Sequence, residues 1–589
     1  MRPRNYLAQS LFLLLFSITP AWGDLPLRNP LNATISKTPW SVALQDVVTI
    51  PNSSGTTKPR LEFLTAGGAP GLAYVIDQRG KIYSFDPLSG SPTPSLFLDL
   101  STAVANFNNQ AQTGVRGLAF HPDFNNPGTN GYRKFYTSHS RNGFAPLVGN
   151  PVIFPSPPNL NHDSVVGEWQ VNANGTVNTG SYRELLRIGQ PFSDHNIAQI
   201  SFNPNASSGE GDYGKLYIAL GDGGNNIPAN PIDPHDFGQN IGQPYGSILR
   251  IDPLVSGGSP FTVPVDNPFR VSSNPGTSEN LVWAYGLRNP HRFTFDTAGD
   301  HKMLISDIGQ ANIEEINLGT AGANYGWDLR EGTFQTVSPF SGGLNPVDTL
   351  PAGHATDGFT YPVAQYDHTN NLVNGSVAIV GGAVYRGNSV PQLKGLYIFG
   401  EFATNSGPLF AVEVDDLIQR EDFSNLNSLN DGHLAPFQEI RLTHNGVEKS
   451  LRQIIDDALP GSVSRTDLRF GVGPDNEIYV LNKHDGIVRK LVSVSGVLNG
   501  DADRDGDVDG RDFLAWQRGV GNSHGDWSDG NFNGDDTIDE LDLAIWQQNY
   551  DGTLPLTSPL SVPEPTTVLF SASLVLSIYR TRMTRKMKK

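Results

Sequence analysis

Acidic side chains near the C-terminus recur at a spacing that suits a metal ion. The segment 501–550 repeats itself at an offset of thirty residues, so that Phe513-Leu-Ala-Trp-Gln aligns with Leu543-Ala-Ile-Trp-Gln. A twelve-residue calcium loop offers oxygens from positions one, three, five, seven, nine and twelve. Both copies carry suitable residues there: Asp501, Asp503, Asp505, Asp507, Asp509 and Asp512, then Asn531, Asn533, Asp535, Thr537, Asp539 and Asp542. We predict two calcium sites, with backbone oxygens used at Asp507 and Thr537.

The two copies of this loop differ in charge. The second copy begins with the neutral Asn531 and has Asp536 where the first has Gly506 at the sharp turn. Fewer negative charges would face the ion, so we expect weaker calcium binding there. Val508 and Ile538 are the predicted apolar contacts that tie each loop to its neighbour. The alternative is a solvated acidic surface, but ligand positions that match twice favour calcium.

A histidine and two charged residues form a second candidate site. His195 precedes one predicted strand and Asp222 ends the next, so antiparallel pairing would bring them together at one rim of a sheet. A carboxylate that holds one ring nitrogen leaves the other free to take a proton from a hydroxyl. Arg288, in another rim turn, keeps its charge and can face an oxygen that becomes negative. Taken alone, these residues also suit a capping or packing histidine.

Short β-type runs position these residues. From about residue 45 to 495, strands such as Lys215-Leu-Tyr-Ile-Ala-Leu and Glu477-Ile-Tyr-Val-Leu alternate with turns rich in Gly, Pro, Asn and Asp. This spacing predicts an all-β closed array, and about 450 residues suit a β-propeller better than a sandwich. Two separate β domains are the alternative, although no linker is evident within the span.

The two ends of the chain have the character of targeting segments. Residues 1–23 combine Arg2 and Arg4, an apolar run and Ala21-Trp22-Gly23, which predicts a signal peptide and an exported protein. After the module (499–550) and a linker (551–561), residues 562–589 contain Val562-Pro-Glu-Pro, an apolar stretch and a basic tail. That stretch is short for a full membrane span, so we expect transient membrane contact.

Composition narrows the classes of function. The formal net charge is −18, with 41 basic and 59 acidic residues, so nucleic acid is not an expected partner. The chain has no cysteine, which excludes disulfides, thiol chemistry and thiolate metal sites. A convincing dinucleotide fingerprint between a strand and a helix is missing from the sequence.

Two of these segments resemble known modules. The duplicated loop-helix pattern resembles dockerin modules, which implies a small α-helical calcium-binding unit and a cohesin-like protein partner. The Pro-Glu-Pro, apolar and basic order at 562–589 resembles the C-terminal sorting signals (PEP-CTERM type) of Gram-negative bacteria. These resemblances imply the periplasm, the outer surface or the extracellular matrix as the destination.

Four ordered motifs in the β region carry a third resemblance. They are Gly117-Leu-Ala-Phe-His-Pro-Asp-Phe, Asp194-His-Asn with Leu220-Gly-Asp-Gly-Gly, Ala284-Tyr-Gly-Leu-Arg-Asn-Pro, and Ser306-Asp-Ile-Gly-Gln with Asn324-Tyr-Gly-Trp. Together they resemble the soluble quinoprotein glucose and sorbosone dehydrogenase family. The resemblance implies a six-bladed β-propeller that binds pyrroloquinoline quinone (PQQ) and calcium on its axis.

The resemblance also implies roles for individual residues. His195 matches the general base that takes a sugar hydroxyl proton while hydride passes to PQQ, and Asp222 matches the residue that orients it. Arg288 matches the cation beside the reacting quinone carbonyl. Asn289 and Arg386 match cofactor contacts, and Gly309 and Gln310 match the turn whose backbone oxygens hold calcium. The implied activity is oxidation of an aldose-type sugar to a lactone, with electrons passing to an external acceptor.

One departure from the family pattern leaves other functions open. Where the family has basic residues after the following strand, this chain has Glu401-Phe-Ala-Thr-Asn-Ser, without Arg or Lys. The loss of cationic partners would weaken the hold on a cofactor with three carboxylates. A non-catalytic propeller that binds carbohydrate or protein is therefore the alternative, and calcium-dependent lactone hydrolysis is a third.

Overall fold

A computed structural model describes most of the chain between residues 27 and 550. The described residues are 27–31, 34–143, 145–155, 160–224, 236–254, 258–337, 347–369, 372, 377–402, 406–420, 434–494, 499–504, 507–522, 525, 527–533 and 537–550. The predicted signal peptide, linker and sorting signal lie outside these residues, as do the candidate ligands Asp505 and Asp535.

The protein is mostly β with few helices, as predicted. Residues 37–493, here called the β body, contain a first strand, β1 (Lys37–Thr49), followed by two groups of strands. Group 1 is β2 (Leu61–Thr65), β3 (Ala73–Asp77), β4 (Lys81–Phe85) and β5 (Ser95–Asp99), followed by helix α1 (Leu100–Ala103). Group 2 is β6 (Val115–Phe120), β7 (Lys134–Asn142), β8 (Val152–Phe154), β9 (His162–Val171) and β10 (Val177–Gln190).

The middle of the β body continues in the same way. Group 3 is β11 (Ile197–Phe202), β12 (Leu216–Leu220), β13 (Ser247–Ile251) and β14 (Val282–Tyr285). Group 4 is β15 (Arg292–Phe295), β16 (Met303–Asp307) and β17 (Ile313–Gly319), closed after an insertion by β21 (Ala364–Asp367). The insertion holds a small sheet of β18 (Arg330–Glu331), β19 (Phe334–Thr336) and β20 (Val347–Thr349).

Two further groups complete the β body. Group 5 is β22 (Ile379–Val384), β23 (Leu396–Glu401), β24 (Leu409–Glu413) and β25 (Gln438–His444), with helix α2 (Val414–Ile418) after β24 and β26 (Val447–Glu448) beside β25. Helix α3 (Leu451–Asp457) follows. Group 6 is β27 (Arg469–Val472), β28 (Ile478–Leu481) and β29 (Ile487–Ser493).

The groups follow one another around a circuit. The first strand of each group contacts the first strand of the next, in the order β2, β6, β11, β15, β22, β27 and back to β2. Group 6 takes its fourth strand from the other end of the chain, because β1 pairs antiparallel with β29. The described part of the chain therefore forms a closed array and not two separate β domains.

The apolar core lies between neighbouring groups. One cluster joins groups 1 and 2 through Tyr74, Leu118 and Trp169, and similar clusters lie at every other junction of the circuit. Successive side chains of a strand point to opposite faces of its sheet, so each group can contribute apolar side chains to the clusters on both of its sides. Burial of one large apolar side chain contributes roughly 1.5–3 kcal/mol, so the junctions are the main source of stability.

The C-terminal module (residues 499–550) contains two helices, α4 (Gly510–Gly519) and α5 (Glu540–Asn549). Asp509 and Asp539 cap their N-termini, each in a reciprocal capping box with the residue three positions later. A short 3-10 helix, Trp527–Asp529, lies between them in the chain. Within the described residues we find no helix with the length and apolar character needed to cross a bilayer.

Candidate active site

The structure brings His195 and Asp222 together. The Nδ1 atom of His195 lies 2.6 Å from Oδ1 of Asp222, and both side chains are buried. The cause is the pairing of β11 with β12, in which Ile197 lies opposite Leu220. Each site residue lies two positions beyond this pair, so the antiparallel register places them at the same rim.

The backbone at this rim is adapted to the close approach. His195 has a φ of 53°, in the left-handed region that most residues avoid. A Cβ atom at Gly221 would lie 2.7 Å from Cβ of His195, so only glycine fits opposite the histidine. The glycine run Gly221-Asp222-Gly223-Gly224 therefore serves the geometry of the pair.

Asp222 is held ionised in this setting. Burial alone would raise the pKa of its carboxyl group, but attraction to His195, the hydrogen bond between them and the charge of Arg288 lower it below its usual value. Its other oxygen accepts a hydrogen bond from Nε1 of Trp327 at 3.0 Å. A carboxylate fixed on both oxygens holds the imidazole with Nε2 directed away from it.

Arg288 reaches the turn after β16. Its guanidinium donates to the carbonyl oxygens of Ile308 and Gly309 at 2.9 and 2.7 Å, and to Oε1 of Gln310 at 2.8 Å. The structure therefore brings Gly309 and Gln310 to Arg288, as their predicted common site requires. The backbone amide of Asn289 donates to Asp307 at 2.6 Å, which fixes the start of the same turn.

A cavity of about 810 Å³ lies beside these residues. The predicted residues His195, Arg288, Asn289, Gly309 and Gln310 line it. Further basic residues line its walls and floor: Arg60, Arg79, Arg116, Arg465, Arg469 and Lys483. Among the described lining residues Asp467 is the acidic one, so the cavity is strongly cationic.

One buried carboxylate lies at the centre of these cations. Glu62, on β2, is fully buried, with Lys483 at 2.7 Å and Arg292 at 2.9 Å from its carboxylate oxygens. The Nε atoms of Arg116 and Arg469 are 3.4 and 3.5 Å from it and lack a hydrogen-bond partner. The first strands of four groups carry Glu62, Arg116, Arg292 and Arg469, and Lys483 follows the second strand of group 6, so the circuit itself assembles the cluster.

The positive charge of this cluster exceeds what Glu62 can neutralise. Burial, followed by repulsion from Arg469, holds the pKa of Lys483 well below its usual value. Burial likewise lowers the pKa of Arg292 to about 9, against the attraction of Glu62. An anion in the cavity would stabilise the charged forms of these groups.

Arg386 lies elsewhere, contrary to the role predicted for it. Its guanidinium pairs with both oxygens of Asp296, at 2.8 and 2.7 Å, and lines a second cavity of about 340 Å³. The reason is the direction of β22: its first residues line the His195 cavity, whereas Arg386 follows its other end. The structure therefore does not place Arg386 beside His195.

Sequence reasoning missed the cations that line the cavity from group 6. The basic residues were expected after Gly400, whereas Arg465 precedes β27, Arg469 begins β27 and Lys483 follows β28. Arg469 begins β27 in the Arg469-Phe-Gly-Val-Gly-Pro-Asp run, and a basic residue at the start of an inner strand was the available signal. The sequence motifs include Trp327, but they did not predict its hydrogen bond to Asp222.

The acidic side chains of the first loop in the C-terminal module lie close together. Carboxylate oxygens of Asp501, Asp503 and Asp512 lie within 4.8 Å of one another, and so do those of Asp507, Asp509 and Asp512. In the second loop Asp542 accepts hydrogen bonds from the amides of Asn533 and Asp539, both at 2.9 Å. Asn531 is fully buried and Thr537 begins the segment that leads to α5.

The two halves of the module are joined reciprocally. Trp516 of α4 donates to the Asp539 carbonyl at 2.8 Å, and Trp546 of α5 donates to the Asp509 carbonyl at 2.8 Å. Val508 and Ile538, the predicted apolar contacts, are both buried. The internal repeat of the sequence is thus a repeat of structure.

The described strands thus form a closed β array with a histidine–carboxylate pair beside a cationic cavity. The family model for Glucose / Sorbosone dehydrogenase matches residues 96–430, and the chain belongs to this family.

Several known proteins are similar to this chain. HIPL2 protein of Arabidopsis thaliana is 31% identical over 376 residues, covering 57% of this chain and 49% of the relative. Quinoprotein glucose dehydrogenase B of Acinetobacter calcoaceticus is 29% identical over 265 residues, covering 42% and 46%. The chain thus spans about half the length of these relatives. The PQQ-bound form of aldose sugar dehydrogenase from Streptomyces coelicolor has 16% identity and a TM-score of 0.43 over 77% of this chain and 99% of that one.

Proposed function

We propose that this protein is an exported quinoprotein dehydrogenase that oxidises the anomeric hydroxyl of an aldose-type sugar to a lactone. The observation that carries the proposal is the His195–Asp222 pair beside a cationic cavity. Among the described residues that line this cavity, Asp467 is the acidic one. Family membership supports an oxidoreductase. In this proposal the six groups of strands are the blades of a six-bladed propeller.

The cavity fits PQQ in charge. PQQ carries three carboxylates, and Arg469, Lys483 and Arg116 offer it cations whose burial is only partly compensated by Glu62. These residues replace the basic positions that the chain lacks after Gly400. Arg465 and Arg469 also lie over the ring of Phe402, at 5.0 and 5.2 Å, which fixes their guanidinium planes at the cavity wall. When bound, PQQ would supply the two-electron acceptor.

Three residues of the chain would then have separate roles in the reaction. His195 takes the proton of the sugar hydroxyl on Nε2, because Asp222 holds Nδ1. Asp222, held by Trp327, orients the ring and stabilises the imidazolium that forms. Arg288 keeps a positive charge at the cavity wall, where negative charge would develop on an oxygen.

In this proposal Gly309 and Gln310 supply backbone oxygens to calcium. The carbonyl oxygen of Gly309 accepts a hydrogen bond from Arg288, and its second lone pair could contact an ion. The turn itself is rigid, since Glu331 accepts from the amides of four successive residues, beginning with Gln310. Its backbone oxygens are therefore presented in a fixed arrangement.

For the C-terminal module we propose calcium binding in both loops and a dockerin-like role with a cohesin-like partner. The converging carboxylates of the first loop support calcium, because their mutual repulsion calls for a cation. We also propose that residues 1–23 are a signal peptide and residues 562–589 a sorting signal, so that the dehydrogenase acts outside the cytoplasm.

Dye reduction tests the proposed activity. Purified mature protein is mixed with PQQ and CaCl2, and reduction of an artificial electron acceptor is followed with a panel of aldoses. We expect sugar-dependent turnover that requires PQQ. Its absence, together with absence of PQQ binding, would leave the non-catalytic propeller as the better account.

A matched pair of variants tests the base. His195→Asn should lower kcat by about 10²–10⁴-fold, the usual contribution of a positioned general base. Asparagine tolerates the positive φ of this position. His301→Asn is the control, because His301 is exposed and has a φ of 54°. Equal activity in the two variants would show that His195 is not the base.

A further inference from the structure

Arg504 belongs to the first acidic loop but makes its contacts outside the module. Its Nε donates to the carbonyl of Gln392 at 2.8 Å, its Nη2 donates to the carbonyl of Lys394 at 3.1 Å, and its Nη1 pairs with the Glu413 carboxylate. The side chain is buried. All three guanidinium nitrogens of Arg504 therefore contact the β body.

The receiving surface lies on group 5. Gln392 and Lys394 belong to the connection between β22 and β23, which contains the 3-10 helix Pro391–Leu393, and Glu413 ends β24. Carbonyl groups at the end of a helical turn lack intrahelical donors. The fork of an arginine supplies donors to two of them at once while its charge is balanced by Glu413.

A second contact joins the same two surfaces. The 3-10 helix Trp527–Asp529 of the module lies against Pro391–Leu393 of the β body. Trp527 is fully buried, and its Nε1 donates to the carbonyl of Asp501 at the start of the first loop. Both points of contact are thus attached to the first loop.

The position of Arg504 couples this interface to the ligands of the loop. Arg504 follows Asp503 directly and has a φ of 57°, so the course of the loop sets the direction of its side chain. The oxygens of Asp501, Asp503 and Asp512 lie within 4.8 Å of one another, an arrangement that repulsion opposes unless a cation lies between them. The second copy has Gly534 at the equivalent position, so only the first loop carries this arginine.

The interface lies on the side of the β body away from His195. Val377 to Val380, at the start of β22, line the His195 cavity, and the strand then runs toward the second cavity. The connection that receives Arg504 comes after that far end. A module docked there leaves the mouth of the His195 cavity open.

We propose that the first loop is a calcium-dependent latch that docks the module on group 5 through Arg504. Calcium fixes the loop, the loop aims Arg504 at the connection between β22 and β23, and the module is held in one orientation. When calcium leaves, the loop no longer fixes Arg504 and the module is released. The latch rests on the proposed calcium binding and not on the proposed dehydrogenase activity.

Distances between two spin labels test the latch in the full mature chain. The chain has no cysteine, so Val265→Cys on the β body and Gln517→Cys on α4 give two unique labelling positions, both exposed. With CaCl2 we expect one narrow distance distribution, and with a calcium chelator a broad one. A narrow distribution that is the same in chelator would overturn the calcium dependence.

Arginine variants in the labelled chain separate docking from folding. Arg504→Ala should broaden the distribution even with CaCl2, whereas Arg518→Ala, on the exposed face of α4, should leave it narrow. Tryptophan fluorescence in a CaCl2 titration reports the folding of the module in each variant. A calcium-dependent change in fluorescence with a narrow distribution in Arg504→Ala would exclude Arg504 as the latch. If the unmodified chain shows no response to calcium, the latch is refuted, because it requires calcium binding by the first loop. That outcome does not depend on the result of the dye-reduction assay.

Discussion

The β body and the C-terminal module differ in what surrounds their carboxylates. In the β body many buried carboxylates have a cationic partner from the chain: Glu184 pairs with Arg187 at 2.6 Å, and Glu314 pairs with His368 at 2.7 Å. In the module, Asp501, Asp503 and Asp512 face one another. Burial, and repulsion from Asp503 as a smaller cause, raise the pKa of Asp512 to about 6.

The same difference appears in the apolar cores. The β body has an apolar cluster at every junction of its groups, whereas the cluster of the module centres on Ala502, Trp527 and Phe532, with Val508 and Ile538 as its other buried apolar residues among those described. So small a core contributes little against the conformational entropy that is lost when the module folds. From this comparison we expect the β body to be stable through its own contacts and the module to depend on a bound ion for its stability.

Removal of calcium should have the largest effect. A chelator should abolish the thermal transition of the module and the helical signal of α4 and α5, because metal binding and folding are coupled in such loops. The transition of the β body should remain in place. Differential scanning calorimetry with far-UV circular dichroism measures both, and a module transition that persists in chelator would break the comparison.

Loss of the central carboxylate should have the next largest effect. Glu62→Gln leaves Arg292 and Lys483 without their partner and should destabilise the β body by about 3–5 kcal/mol, the usual cost of a broken buried ion pair.

Urea denaturation of the Glu62→Gln variant measures that loss. The control is Glu448→Gln, since the pair of Glu448 with Arg441 is exposed and should contribute about 0–1 kcal/mol. Equal losses in the two variants would mean that the buried cluster does not depend on Glu62.

A pH effect at His368 should be the smallest. Burial lowers the pKa of His368, but the hydrogen bond and charge of Glu314 outweigh it and raise the pKa above the ordinary value near 6.5. The pair therefore stabilises the fold fully below about pH 6.5, and this contribution is lost as pH rises through the raised pKa. His368→Gln should thus lose more stability at pH 6 than at pH 9.5. A pH-independent difference in urea unfolding would refute the assignment.

Part of the site follows from sequence alone. The proximity of His195 and Asp222 follows from the pairing of two adjacent strands, and the converging loop carboxylates follow from their spacing. The placement of Arg386 and the cluster around Glu62 do not, because they depend on which ends of distant strands share a cavity. Glu62 and Lys483 are far apart in sequence, and only the closed circuit brings them together.

Binding of PQQ by the mature protein tests the central claim most directly. Equilibrium dialysis should show one PQQ retained per chain, with an affinity that falls as NaCl is raised and in Arg469→Gln, because cations of the cavity hold its carboxylates. Arg441→Gln, away from the cavity, should bind like the unmodified chain. Retention of no PQQ, or equal retention by Arg469→Gln, would contradict the account.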